Sequence, residues 1–110
     1  MVKIRAYIGE ATEYDKKETL EERRPKSWLK SVSAFANGNG GVLLFGIADD
    51  DALKGLPDVK TASEKISEAV KSKMDPIPSI ELQIKQEEGK DFILLHVAPG
   101  AETPYYYIGD

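Results

Sequence analysis

The sequence predicts a single α+β domain over residues 1–110, with two helices and a mixed or antiparallel sheet. Three observations predict it. First, Trp28, Leu29, Val32, Phe35 and Ala36 fall on one face of a helix, and a glycine turn and a continuous apolar run, residues 42–47, follow at once. Second, Ala62, Ile66, Ala69, Val70 and Met74 repeat at helical spacing. Third, two strand-like runs, residues 79–85 and 91–98, flank the turn signal Glu88-Gly89 and read as a β-hairpin. The element order is therefore strand, helix, strand, helix, hairpin.

Each element has a local reason. Residues 2–8 (VKIRAYI) alternate apolar and polar side chains, as a strand does, and Gly9 breaks them. Residues 10–20 are polar, with a second strand expected near residues 13–17. Residues 21–26 form a charged loop in which Pro25, lacking an N–H to waste, suits a helix start. Asn37-Gly38-Asn39-Gly40-Gly41 ends that helix, since Gly and Asn reach left-handed backbone angles cheaply. An unbroken apolar run such as residues 42–47 suits a strand covered on both faces. Residues 49–58 form a turn-rich loop that begins with Asp49, Asp50 and Asp51. The second helix is expected from about Lys60 to Met74, with Thr61 and Glu64 at capping-box spacing and Asp75-Pro76-Ile77-Pro78 as its stop. In the hairpin, Ile80, Leu82 and Ile84 share one side of the first strand, and the second strand is the more apolar and central. Pro99-Gly100 breaks the hairpin, and Tyr105, Tyr106, Tyr107 and Ile108 open a further β-prone segment. Trp28, Leu29, Val32, Phe35, Val42, Leu44 and Ile66 are expected in one core.

Composition excludes several classes. The chain has no cysteine and one histidine, so disulfides, thiolate zinc sites and His-rich metal sites are excluded. A metal would be held by carboxylates, which favours Mg²⁺ or Mn²⁺. No run approaches the length of a membrane span, and the first residues lack a signal-peptide apolar region, so a cytoplasmic location without membrane is expected. The formal net charge of −4 does not advertise nucleic-acid binding. Net charge is only a sum, however. Lys16, Lys17, Arg23, Arg24, Lys26 and Lys30 crowd into one window and could form a local basic patch or a solvated helix face.

The chemistry-bearing candidates each have a bland alternative. Glu10, Glu13, Asp15, Asp49, Asp50 and Asp51 are carboxylates near expected strand ends, with Glu10, Asp15, Asp49 and Asp50 as the candidate metal ligands. Brought together they could hold Mg²⁺ or Mn²⁺ for phosphodiester cleavage, but acidic residues also crowd ordinary turns. The Gly38–Gly41 turn lacks the Lys-Ser/Thr of a P-loop and exits into a strand, so a helix cap explains it more simply. His96 lies in an apolar strand with no acid–base partner in sequence. The three tyrosines could stack on bases or simply favour a strand.

The run S-x-S-A-F-A-N-G-x-G-G-x-L-L-F-G-I-x-D-D, Ser31 to Asp50, resembles the signature of the Schlafen AlbA_2 family, also called divergent AAA_4. Glu10-Ala-Thr-Glu-Tyr-Asp15-Lys-Lys17 resembles that family's E-S-x-x-x-E-F-K element, Gly55-Leu56 its G-L, and Val97-x-Pro99-Gly100…Thr103-Pro104-Tyr105-Tyr106 its V-x-x-G…P-Y-Y segment. The resemblance implies a DNA-binding domain of predicted transcriptional regulators, often followed by a winged helix-turn-helix, so the natural protein is expected to continue past Asp110. It implies DNA or RNA as partner. In animal Schlafen proteins the related core binds RNA and in some members cleaves it, with two acidic residues of the first element and an aspartate after the glycine-strand. Carried over, these are Glu10, Asp15 and Asp49 or Asp50, with Lys17 as the element's basic residue. Asp15 stands where the family has glutamate.

The expected function is thus nucleic-acid binding, with phosphate contacts from Lys16, Lys17, Arg23, Arg24 and Lys30. The alternatives are a metal-dependent ribonuclease with Glu10, Asp15 and Asp50 as catalytic groups, or a nucleotide-binding or protein-interaction module. A homo-oligomer is also open.

Overall fold

In the computed structural model, which describes residues 13–109, the sheet is mixed. The elements run β1 (Tyr14–Lys17), α1 (Lys26–Asn37), β2 (Gly41–Phe45), α2 (Val59–Lys73), β3 (Met74–Asp75), β4 (Ile80–Glu87), β5 (Lys90–Val97) and β6 (Tyr106–Tyr107). The main sheet has the order β1-β2-β5-β4, and β3 and β6 form a separate two-stranded ribbon. β1 runs parallel to β2 and is joined to it through α1; the other pairs are antiparallel. The expected strand at residues 2–8 lies outside the described residues.

Alternation along β2 splits the core in two. Leu43 and Phe45 face the helices with Trp28, Leu29, Val32, Phe35, Ile66, Val70, Ile93 and Leu95. Val42 and Leu44 face the opposite side with Ile47, Leu53, Phe92 and Leu94. All seven residues expected in the core are buried, but they belong to two clusters rather than one. This explains why β2 reads as an unbroken apolar run: both of its faces are covered. Trp28 meets Phe45 edge-to-face at 5.7 Å between ring centroids, joining α1 to β2.

Other boundaries shift for local reasons. α1 keeps Asn37, and Gly38 and Gly40 both donate back to the Phe35 carbonyl. Gly40 takes the left-handed angle, φ +83, and Gly41 lies so close to the Phe35 ring that a Cβ there would come within 2.6 Å of it. β2 ends at Phe45, earlier than expected, because Gly46 turns the chain at φ +106. The cap of α2 is Asp58 rather than Thr61: its carboxylate accepts from the Thr61 N–H at 3.2 Å and the Thr61 hydroxyl at 2.8 Å. Met74 belongs to β3, not to α2.

The hairpin forms as expected, in unbroken register from Ile80 opposite Val97 to Glu87 opposite Lys90. Ile80 and Leu82 pack against the helix-side cluster. Ile84 shares their face yet is 53% exposed, while Lys85 on the other face is 8% exposed.

Candidate nucleic-acid interface

The residue 23–30 segment meets the C-terminal ribbon. Arg23, Arg24, Lys26 and Lys30 are exposed and line one cleft with Pro25, Ser27 and Tyr107. The Lys26 ammonium stands 5.7 Å from the centre of the Tyr107 ring, in cation–π range. The cleft opens at the start of α1, whose first turn carries no acidic side chain, so its positive dipole end is not neutralised locally. Glu22, the nearest acid in sequence, turns away to Lys65 at 3.5 Å.

Tyr107 reaches this cleft because the C-terminal segment is clamped along α1. The Asn37 side-chain amide accepts from the Tyr105 N–H at 2.6 Å and donates to the Tyr105 carbonyl at 3.0 Å. Ser33 donates to the same carbonyl at 2.7 Å, and the Gly100 N–H donates to the Ala36 carbonyl. The Tyr105 ring is buried and its hydroxyl accepts from the Glu102 N–H. β6 then pairs with β3 and sets Tyr107 opposite Met74. Ser33 and Asn37, both in the signature run, therefore hold the segment that supplies the aromatic wall.

The other two expected phosphate contacts are elsewhere. On β1, Asp15 and Lys17 point to the helix side with Leu43 and Phe45, and Lys16 to the other side with Leu44. Lys16 pairs with Asp51 at 2.5 Å and donates to the Asp49 carbonyl at 3.0 Å. The hydrogen bond to the Asp51 carboxylate holds its ammonium above the ordinary value of 10.5. Its charge is thus matched within the chain. Lys17 lies in a smaller cleft with Lys16, Glu18, Thr19, Glu21 and Asp49, where acids balance the lysines. Arg23, Arg24 and Lys30 are brought together; Lys16 and Lys17 are not joined to them. Lys26 and Tyr107 complete the cleft.

Among the described residues, the candidate metal ligands are also dispersed. Both Asp15 oxygens are engaged, one by the Lys16 N–H at 2.8 Å and one by the Ser31 hydroxyl at 2.7 Å. Asp50 accepts from the Ala52 N–H within its own turn. Asp49 is exposed. Glu10 lies outside the described residues. Among the described residues, no three acidic or histidine side chains gather as a metal site. The residues described do not by themselves fit a divalent ion. His96 bonds Gln83 across the hairpin at 2.9 Å.

A chain built on this signature run, with a helix laid between parallel strands and a clamped tyrosine segment, defines a Schlafen-type α+β domain. The profile of the family Schlafen, AlbA_2 matches residues 10–110, and the chain belongs to that family. Among solved structures, the N-terminal domain of a RecG-related protein from Nitrosomonas europaea, named after an ATP-dependent DNA helicase, is similar at 27% identity and TM-score 0.69. The match covers 90% of this chain and 72% of that one. The DIP2311 protein from Corynebacterium diphtheriae shares the fold at 21% identity and TM-score 0.66, over 93% of this chain and 20% of that one. No curated protein matches the chain. No helix among the described residues is long and apolar enough to cross a membrane.

Proposed function

We propose that this chain is a nucleic-acid-binding domain that grips a DNA backbone through the cleft at the start of α1, and that it serves as the DNA-binding part of a transcriptional regulator. The observation that carries this reading is the convergence of Arg23, Arg24, Lys26 and Lys30 on one cleft beside Tyr107, in a chain whose net charge is −4. Cations concentrated against that overall sign raise the local attraction for phosphates, which sets non-specific affinity. Arginine forks match phosphate oxygens, and the helix start adds a positive dipole end. Family membership and the helicase-related name of the Nitrosomonas neighbour point the same way.

In this reading each cation has a role. Arg23 and Arg24 contact phosphates from the loop, Lys30 one turn further along α1, and Tyr107 offers an aromatic face to a sugar or base. Lys16 and Lys17 contribute little, since acids beside them already balance their charge. An NMR titration with a short DNA duplex tests this. Amide shifts at Arg23–Lys30 and Tyr107 are expected. Shifts confined to Lys16, Lys17 and Asp49 would reject the cleft.

A further inference from the structure

β4 is the outer strand of the main sheet: β5 pairs with one side of it and, among the described residues, no strand pairs with the other. Edge strands are normally blunted by shortness, proline, a bulge or charged side chains, and of these β4 carries only the charges, Glu81, Lys85 and Glu87. β4 runs over eight residues without proline, in unbroken register with β5. It also leaves Ile84 53% exposed on the helix side of the sheet. An open groove lies between α2 and β4, lined by Leu82 of β4 and by Ser63, Glu64, Ser67, Glu68 and Lys71 of α2.

The strand's sequence is its own antiparallel complement. About Gln83, Glu81-Leu82-Gln83-Ile84-Lys85 read against a second copy sets Glu81 opposite Lys85 twice, Leu82 opposite Ile84 twice and Gln83 opposite itself. Residues directly opposite share a face, so the ion pairs fall on one side of the sheet and the aliphatic pairs on the helix side. Sliding the register by two residues one way sets Glu81 against Glu87; sliding it the other way sets Lys85 against Ser79. Only the Gln83-centred register matches both charge and apolar pattern.

We propose that β4 pairs with β4 of a second copy of this chain about a twofold axis through Gln83, joining two four-stranded sheets into one of eight strands. The partner's Ile84 then covers Leu82 at the groove, and each Ile84 leaves water. The twofold relation places the α1 clefts of both copies at the outer ends of one assembly, so two backbone-binding sites act together.

The test uses the full chain. Because it has no cysteine, Gln83→Cys introduces a single thiol at the axis, and mild oxidation should cross-link it through that residue alone. Sedimentation equilibrium of the wild type should show a monomer–dimer equilibrium at high micromolar concentration. The exposed substitution Glu81→Lys should weaken it roughly tenfold or more by setting Lys against Lys85, and adding Lys85→Glu should restore it. Circular dichroism checks that each variant is folded, and Glu81→Lys decides the matter should Lys85→Glu unfold. A monomer throughout that range overturns the proposal. So does a dimer that ignores Glu81→Lys and leaves Cys at position 83 unlinked.

Discussion

Asn37 acts as a one-residue strand edge, offering Tyr105 both an acceptor and a donor. In sequence it reads as part of the glycine turn, because its partner lies 68 positions away and no local pattern records that distance. Replacing Asn37 with Ala removes two partly buried hydrogen bonds to the Tyr105 backbone and should cost about 1–3 kcal/mol, read as a lower urea midpoint. Asp58 gives a second test. Hydrogen bonds from the Thr61 hydroxyl and N–H hold its carboxylate below the ordinary 3.8. A depressed folded pKa contributes stability that is present above the unfolded value and lost as pH falls through the folded one. Asp58→Asn keeps a capping oxygen but not the titration, so its acid-unfolding limb below pH 3.8 should be flatter than that of wild type.

Among the elements, those set by local periodicity were legible. α1, α2, β2 and the hairpin all stand where apolar spacing and turn residues put them. What spacing could not give is pairing order and coverage. That β1 lies parallel to β2 depends on the path of α1, and that Ile84 is exposed depends on how far α2 reaches across the sheet. The α1–β2 corner is closely packed. Phe35 is buried and its ring fills the space over Gly41. Phe35→Ala should cost roughly 3–5 kcal/mol in denaturant unfolding. Gly41→Ala should also destabilise, since a methyl group there drives into the Phe35 ring. Wild-type midpoints for both would mean that this corner is not packed as described.

For the whole molecule, charge placement matters more than charge sum. Three of the five expected phosphate-binding residues, Arg23, Arg24 and Lys30, share one cleft. Lys16 was inseparable from them in sequence because its counter-ion, Asp51, lies 35 positions further along. Tyr107 arrives only through the β3–β6 pairing and the Asn37 clamp. Among the described residues the acidic side chains stay apart for a similar reason: alternation on β1 sends Asp15 to the helix side while Lys16 draws Asp51 to the other. Lys16→Ala should therefore leave nucleic-acid affinity nearly unchanged, in contrast to any cation of the cleft.

The salt dependence of DNA binding decides whether the α1 cleft grips a phosphate backbone. The logarithm of the association constant, measured by fluorescence anisotropy across a salt series, should fall linearly for the wild type. For Arg24→Glu with Lys30→Glu binding should be weaker, with the slope shallower by about two units, one for each phosphate that is no longer neutralised. A wild type that binds no DNA at low salt, or a double variant with unchanged affinity and slope, would show that the cleft is not a DNA-binding site.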